Sequence, residues 1–146
     1  MTLEKGYKIE AVIIDTGLIY ALADKKDLWH KRAFDFVENF RGKLIIPSAV
    51  IPEACYLLNT YLGQSAEIAF IHSLINKELN IEHFNANDLI RCAELLKQYN
   101  DLSLGFVDAT IIAISERLKM HEILTTDRRH FSIVKPKHCE AFTLLP

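Results

Sequence analysis

Of 146 residues, half are hydrophobic and a quarter charged, and 17 Lys and Arg stand against 19 Asp and Glu for a net charge of −2. That balance excludes a strongly basic nucleic-acid binder or an acidic tail, and the apolar content is enough for one domain, spanning 1–146, to bury a core without disulfide staples. Cys55, Cys92 and Cys139 make no CxxC pair or zinc-finger spacing and read as free thiols; without a signal-like apolar region or a run near 18 apolar residues, a cytoplasmic protein with no membrane span is expected.

The first β-rich run is KIEAVIID, residues 8–15, which ends on Asp15 and turns through Thr16 and Gly17 into LIYALAD. A helix over LWHKRAFDFVENF follows, with Asp27 as its N-cap. The second strand is KLIIP (43–47), after which SAVIPEACYLLNTYL starts a helix at Ser48 that carries Glu53, and QSAEIAFIHSLINK starts another behind Gly63. LNIEHF (79–84) is the third strand, and ANDLIRCAELLKQY is a helix behind Asn85. The apolar SLGFVDATIIAISERL (103–118) is a core helix with Asp108 near its start; EILTTD (122–127) is a strand ending on Asp127, and AFTLL a weaker one near the end. Strands alternating with helices, their cores continuous Val/Ile/Leu runs, predict an α/β fold with a parallel sheet covered on both faces. Chemistry in such folds sits outside the carboxyl ends of the strands, near a switch in strand order.

Four carboxylates can meet there: Asp15 and Asp127 at strand ends, Glu53 early in the helix after KLIIP, and Asp108 about one turn into its helix. Each has a plain alternative. An Asp at a strand end is equally a turn former or a helix cap, and Glu53 reads alone as a solvated helix face, although Ile51, Ala54, Leu57 and Leu58 suggest an inward side. Asp108 is harder to dismiss, because the helix dipole favours a first-turn acid by only about 0.3 to 1 kcal/mol. Carboxylates crowded at one edge raise one another's pKa unless a cation neutralises them. Oxygen donors without His or Cys suit a hard divalent ion, Mg2+ or Mn2+, and such an ion serves phosphodiester hydrolysis by polarising a phosphoryl oxygen and activating water.

The blocks IIDTGLIYAL, IPEACYLL with Glu53, LSLGFVDATIIAISERL and ILTTDRRHF, in that order and with Asp127 19 positions after Asp108, resemble the PIN-domain ribonucleases, most of all the small single-domain VapC-type toxins of toxin and antitoxin pairs. The resemblance covers almost the whole chain and leaves out the leading MTLEKGYK, which is assigned no role. It implies a three-layer PIN-like fold with a central parallel sheet of about five strands. It also implies a Mg2+- or Mn2+-dependent endoribonuclease, an RNA substrate, a cognate antitoxin and a homodimer. Asp15, Glu53, Asp108 and Asp127 match the acidic metal-binding and catalytic set, and Thr16 and Thr126 match hydroxyl positions beside the first and last acids, where each also reads as a turn or cap group. Arg128 and Arg129 are candidates for gripping RNA phosphate; the alternative is a solvated turn anchored by Phe131. Asp24, Asp27, Trp29 and His30 read as capping and packing residues. The remaining histidines have no ligand spacing.

With four acids sequestered, the other 15 would face 17 Lys and Arg, so a mildly anionic chain can still bind RNA, with an affinity that falls with salt. A haloacid-dehalogenase-type phosphatase would need a second Asp where Gly17 stands, and neither GxGxxG nor a P-loop occurs. The rival readings are a PIN-like module that binds RNA or protein without catalysis, and a housekeeping RNA-processing or DNA nuclease.

Overall fold

The computed structural model describes residues 8–146; the rest of the leading segment that was assigned no role lies outside it. Five strands, β1 (Ala11–Ile14), β2 (Lys43–Pro47), β3 (Asn80–Glu82), β4 (Glu122–Leu124) and β5 (Thr143–Leu145), form one sheet in the order β3-β2-β1-β4-β5, every neighbouring pair parallel. Ile13 of the central strand aligns with Ile45 on one side and Ile123 on the other. Val12, Ile13 and Ile14 are fully buried. A strand covered on both faces has no solvent side, which is why its sequence runs unbroken in β-branched residues instead of alternating.

Seven helices cover the sheet: α1 (Thr16–Ala23), α2 (His30–Asn39), α3 (Val50–Leu62), α4 (Gln64–Ile75), α5 (Ala86–Gln98), α6 (Phe106–Leu118) and α7 (Arg128–Ile133). Right-handed crossovers place α1 to α4, which connect strands stepping outward from β1 to β3, on one face, and α5 and α6, which lead back to β4, on the other. The packing follows this division: α1 meets α2 and α3, α3 meets α4, and α5 meets α6. In α6 every side chain from Ala109 to Ser115 is buried, as its apolar sequence requires.

Two helices lack a signal in the sequence. The α1 stretch TGLIYALA is apolar on all sides and shows no helical stripe, and α7 spans six residues, too few for a period to register. The caps also moved. Asp27 accepts from the Trp29 amide at 2.8 Å, a turn just before α2, whose N-cap is Trp29. The helix expected to start at Ser48 begins at Val50, with Ala49 as its N-cap. Asn85 does cap α5, in a reciprocal box with Asp88. Gly63, at φ +95°, joins α3 to α4 in a backbone conformation that side-chain-bearing residues rarely adopt. The three cysteines are free, and no helix among the described residues is long and apolar enough to cross a membrane.

Candidate functional site

The strand order reverses between β1 and β4: successive strands step one way from β1 to β3, and β4 returns to the other side of β1. Both strands leave the sheet at the carboxyl edge into acids. Asp15 follows β1 and becomes the N-cap of α1, its Oδ1 accepting the Leu18 amide at 2.9 Å. Its Oδ2 accepts a short hydrogen bond from the Thr125 hydroxyl. Asp127 follows β4 and caps α7, accepting the Arg129 and His130 amides at 3.0 Å each. Asp108, in the first turn of α6, accepts the Gly105 amide at 3.3 Å. Glu53, in the first turn of α3, is exposed and has no such restraint among its hydrogen bonds. All four acids line one cleft of about 190 Å³, together with Thr16, Gly17, Val107, Ile111 and Thr126. Capping and site membership are therefore not alternatives for Asp15 and Asp127: the same carboxylates do both.

Gly17 belongs to this cleft for a steric reason. A Cβ at that position would stand 2.4 Å from the Thr126 hydroxyl oxygen, well inside contact distance. The turn out of β1 can approach the turn out of β4 only with no side chain there.

The electrostatics are those of excess negative charge. Burial pushes the Asp15 carboxyl up to about 7; the bonds from Thr125 and Leu18 oppose this, and the charges of Asp127 and Asp108 add to it. Burial likewise raises Asp108, with the Gly105 bond and His130 pulling down and Asp127 and Glu53 pushing up. Asp127 is also lifted by partial burial, but its bonds from the His130 backbone and ring leave it below the ordinary carboxylate range. Among the described residues, neither Lys nor Arg lines the cleft. One more polar atom is unpaired at this place, the buried hydroxyl of Thr16.

A donor set of carboxylate oxygens plus an orphan hydroxyl fits a hard divalent ion. Among the described residues, the one group of three His, Cys, Asp or Glu ligand atoms that lie within 4.8 Å of one another is found elsewhere. No three of the four carboxylates bring oxygens that close together; a hard divalent ion there would draw the rest of its ligands from water.

The residues around the acids sort differently from their order in the sequence. Thr125, not singled out above, holds Asp15, whereas Thr126 faces Gly17 in the cleft. The reason is register: Ile14 pairs with Leu124, so the next residue of each strand, Asp15 and Thr125, also lie side by side. Arg128 is committed to the fold. Its guanidinium donates to the carbonyls of Leu144 and Pro146 at 2.7 Å each and lies 5.1 Å from the Trp29 ring centroid, which leaves Arg129, exposed, as the arginine free to meet an anion. His130, given no role by the sequence, sits between two acceptors: Nδ1 contacts Asp127 Oδ2 at 2.5 Å and Nε2 the Leu102 carbonyl at 3.0 Å. Two acceptors require two N–H donors, and the bond to Asp127 accordingly raises the His130 pKa. Phe131 is buried as the anchor of α7.

Residues 12–136 match the family model described as PIN domain. The chain is 29% identical over 135 residues to "Ribonuclease VapC26" of Mycobacterium tuberculosis, covering 92% of this chain and 100% of that protein. Among solved structures, Mycobacterium tuberculosis VapC20, described as a sarcin-ricin loop cleaving toxin, superposes with a TM-score of 0.79 at 22% identity over 88% of this chain and 98% of that one. A toxin-antitoxin complex from Klebsiella pneumoniae superposes with a TM-score of 0.66 at 19% identity, covering 84% and 92%. At those identities the structural likeness is one of fold.

Proposed function

The chain belongs to the PIN-domain family, and we propose that it is a divalent-metal-dependent endoribonuclease serving as the toxin of a toxin-antitoxin pair. The observation that carries this reading is the buried Asp15, set among Asp108 and Asp127 in a cleft that no Lys or Arg lines. Such an arrangement stores repulsion that a cation removes.

Asp15, Glu53, Asp108 and Asp127 would hold Mg2+ or Mn2+. The bound ion would supply the electrophilic pull on a phosphodiester oxygen and the lowered pKa of water that hydrolysis needs near neutral pH. The chain's own residues do the positioning. Thr125 fixes Oδ2 of Asp15, and the Leu18 amide Oδ1. His130 and two backbone amides orient Asp127. The Thr16 hydroxyl, buried without a partner, is available to a water or phosphate oxygen in the cleft, and Arg129 to the RNA backbone.

RNA as the substrate is supported by the ribonuclease name of the 29% identical relative, alongside the description of VapC20 as a sarcin-ricin loop cleaving toxin. A protein antitoxin is supported by the toxin-antitoxin complex among the structural neighbours. A homodimer and a cytoplasmic location complete the proposal.

The test is thermal unfolding with and without Mn2+, alongside cleavage of RNA and of DNA of the same sequence, for the wild type and Asp108→Asn. At 100 times its dissociation constant the ion stabilises by about 2.7 kcal/mol, a shift of several degrees at this size. A shift and RNA cleavage that both vanish in Asp108→Asn support the proposal. Saturating Mn2+ with neither effect overturns it in favour of a non-catalytic binding module, and preference for DNA would reassign the substrate.

A further inference from the structure

At the opposite, amino edge of the sheet a second group of donors has no part in the acid cleft. His121 immediately precedes β4, and His138 and Cys139 lie in the segment between α7 and β5. The two backbones touch here, the Thr143 amide donating to the His121 carbonyl at 2.9 Å. One nitrogen from each imidazole and the Cys139 sulfur all lie within 4.8 Å of one another. The two ring centroids are 5.3 Å apart, and the sulfur is 3.7 Å from His138 Nε2.

Ordinary packing does not account for His138. Its Nε2 lies 2.6 Å from the Met120 carbonyl, which can only accept, so the proton of the neutral ring is on Nε2. Nδ1 then carries a bare lone pair, yet it is buried with no hydrogen-bond partner. A buried acceptor without a donor is disfavoured until something electropositive reaches it. Ligation through Nδ1 would leave the Met120 bond intact, the pattern in which a backbone carbonyl holds one imidazole nitrogen while the other meets the metal.

We propose that His121, His138 and Cys139 form a second cation site, for a borderline-soft divalent ion such as Zn2+, which ties the amino end of β4 to the segment entering β5. Two imidazoles and a thiolate select that class of ion, whereas the oxygen-only cleft selects Mg2+ or Mn2+. Three protein ligands leave a fourth position for water or another donor. The ligand is the thiolate, so uptake of the ion releases a proton and tightens as pH rises.

The experiment uses Asp108→Asn, in which the acid cleft is impaired, titrated with Co2+ as a spectroscopic stand-in for Zn2+ under a non-thiol reductant. One equivalent of Co2+ is expected to give a thiolate-to-cobalt charge-transfer band, and Zn2+ at 100 times its dissociation constant to raise the melting temperature by several degrees. Both effects should be lost on adding Cys139→Ser, and on adding His121→Ala, an exposed position that keeps the fold measurable if the serine variant does not. Absence of the band at saturating Co2+, or a Zn2+ shift unchanged by either substitution, overturns the proposal.

Discussion

Asp15 and Asp88 are both buried carboxylates, 6% and 3% exposed, and both cap a helix, but their surroundings are opposite. Asp88 receives the Arg117 guanidinium at 3.1 Å, and Arg117 in turn holds Glu82 at 3.0 Å and the His83 carbonyl at 3.1 Å. Asp15 receives only neutral donors, the Leu18 amide and the Thr125 hydroxyl, and the charges nearest to it are other acids. A buried acid with an arginine ties α5 to α6. A buried acid among acids has no counter-charge, and in its ionised form it costs stability. Burial alone therefore does not tell the two apart; the missing counter-charge does.

The comparison breaks most sharply on substitution. Asp15→Asn is expected to lower metal-dependent RNA cleavage by a factor on the order of 10³, the several kcal/mol that loss of a metal-holding carboxylate removes. Without metal it should melt higher than the wild type at pH 8. The sign follows from the proton balance. The folded Asp15 carboxyl titrates at about 7 and the unfolded one near 3.8. The folded state therefore binds the extra proton between those values, and the metal-free wild type loses stability as pH rises from about 4 to about 7. Melting curves across that window should fall more steeply in the wild type than in Asp15→Asn, where the raised Asp108 and His130 still contribute.

Asp88→Ala should do the reverse, costing about 3 kcal/mol by taking from Arg117 its buried carboxylate partner and from α5 half of its capping box, while cleavage per folded molecule is retained. Chemical denaturation and an activity assay at matched folded fraction separate the two. Thr125→Ala removes the one side chain that fixes Asp15 and should lower activity or metal affinity by about 10- to 100-fold, with a smaller effect from Thr126→Ala. A larger loss in Thr126→Ala would mean that the strand register does not decide which hydroxyl works. Smallest, Arg128→Ala should cost about 1 to 2 kcal/mol of stability through its two carbonyl bonds, whereas Arg129→Ala should leave melting unchanged and flatten the salt dependence of RNA binding.

The alternation of strand and helix, the parallel sheet and the order of the four acids were all legible in the chain. Each rests on local periodicity, and acids at strand ends necessarily reach the carboxyl edge of a parallel sheet. Two helices escaped because α1 is apolar on every side and α7 is too short for a period to show. Neighbouring threonines at 125 and 126 cannot be ranked from sequence. The pairing of Ile14 with Leu124 ranks them, by laying Thr125 beside Asp15. The same holds for Arg128, drawn to the carbonyls of Leu144 and Pro146, and for His130, clamped between Asp127 and Leu102. It holds again for His121, His138 and Cys139, whose 17-residue gap has no ligand spacing until β4 and β5 pair. Sequence determined which chemistry the chain carries and at which edge of the sheet its acids gather. Only tertiary structure decided which neighbours serve those acids, because hydrogen bonds between segments depend on strand register and on close approach, and neither leaves a local pattern.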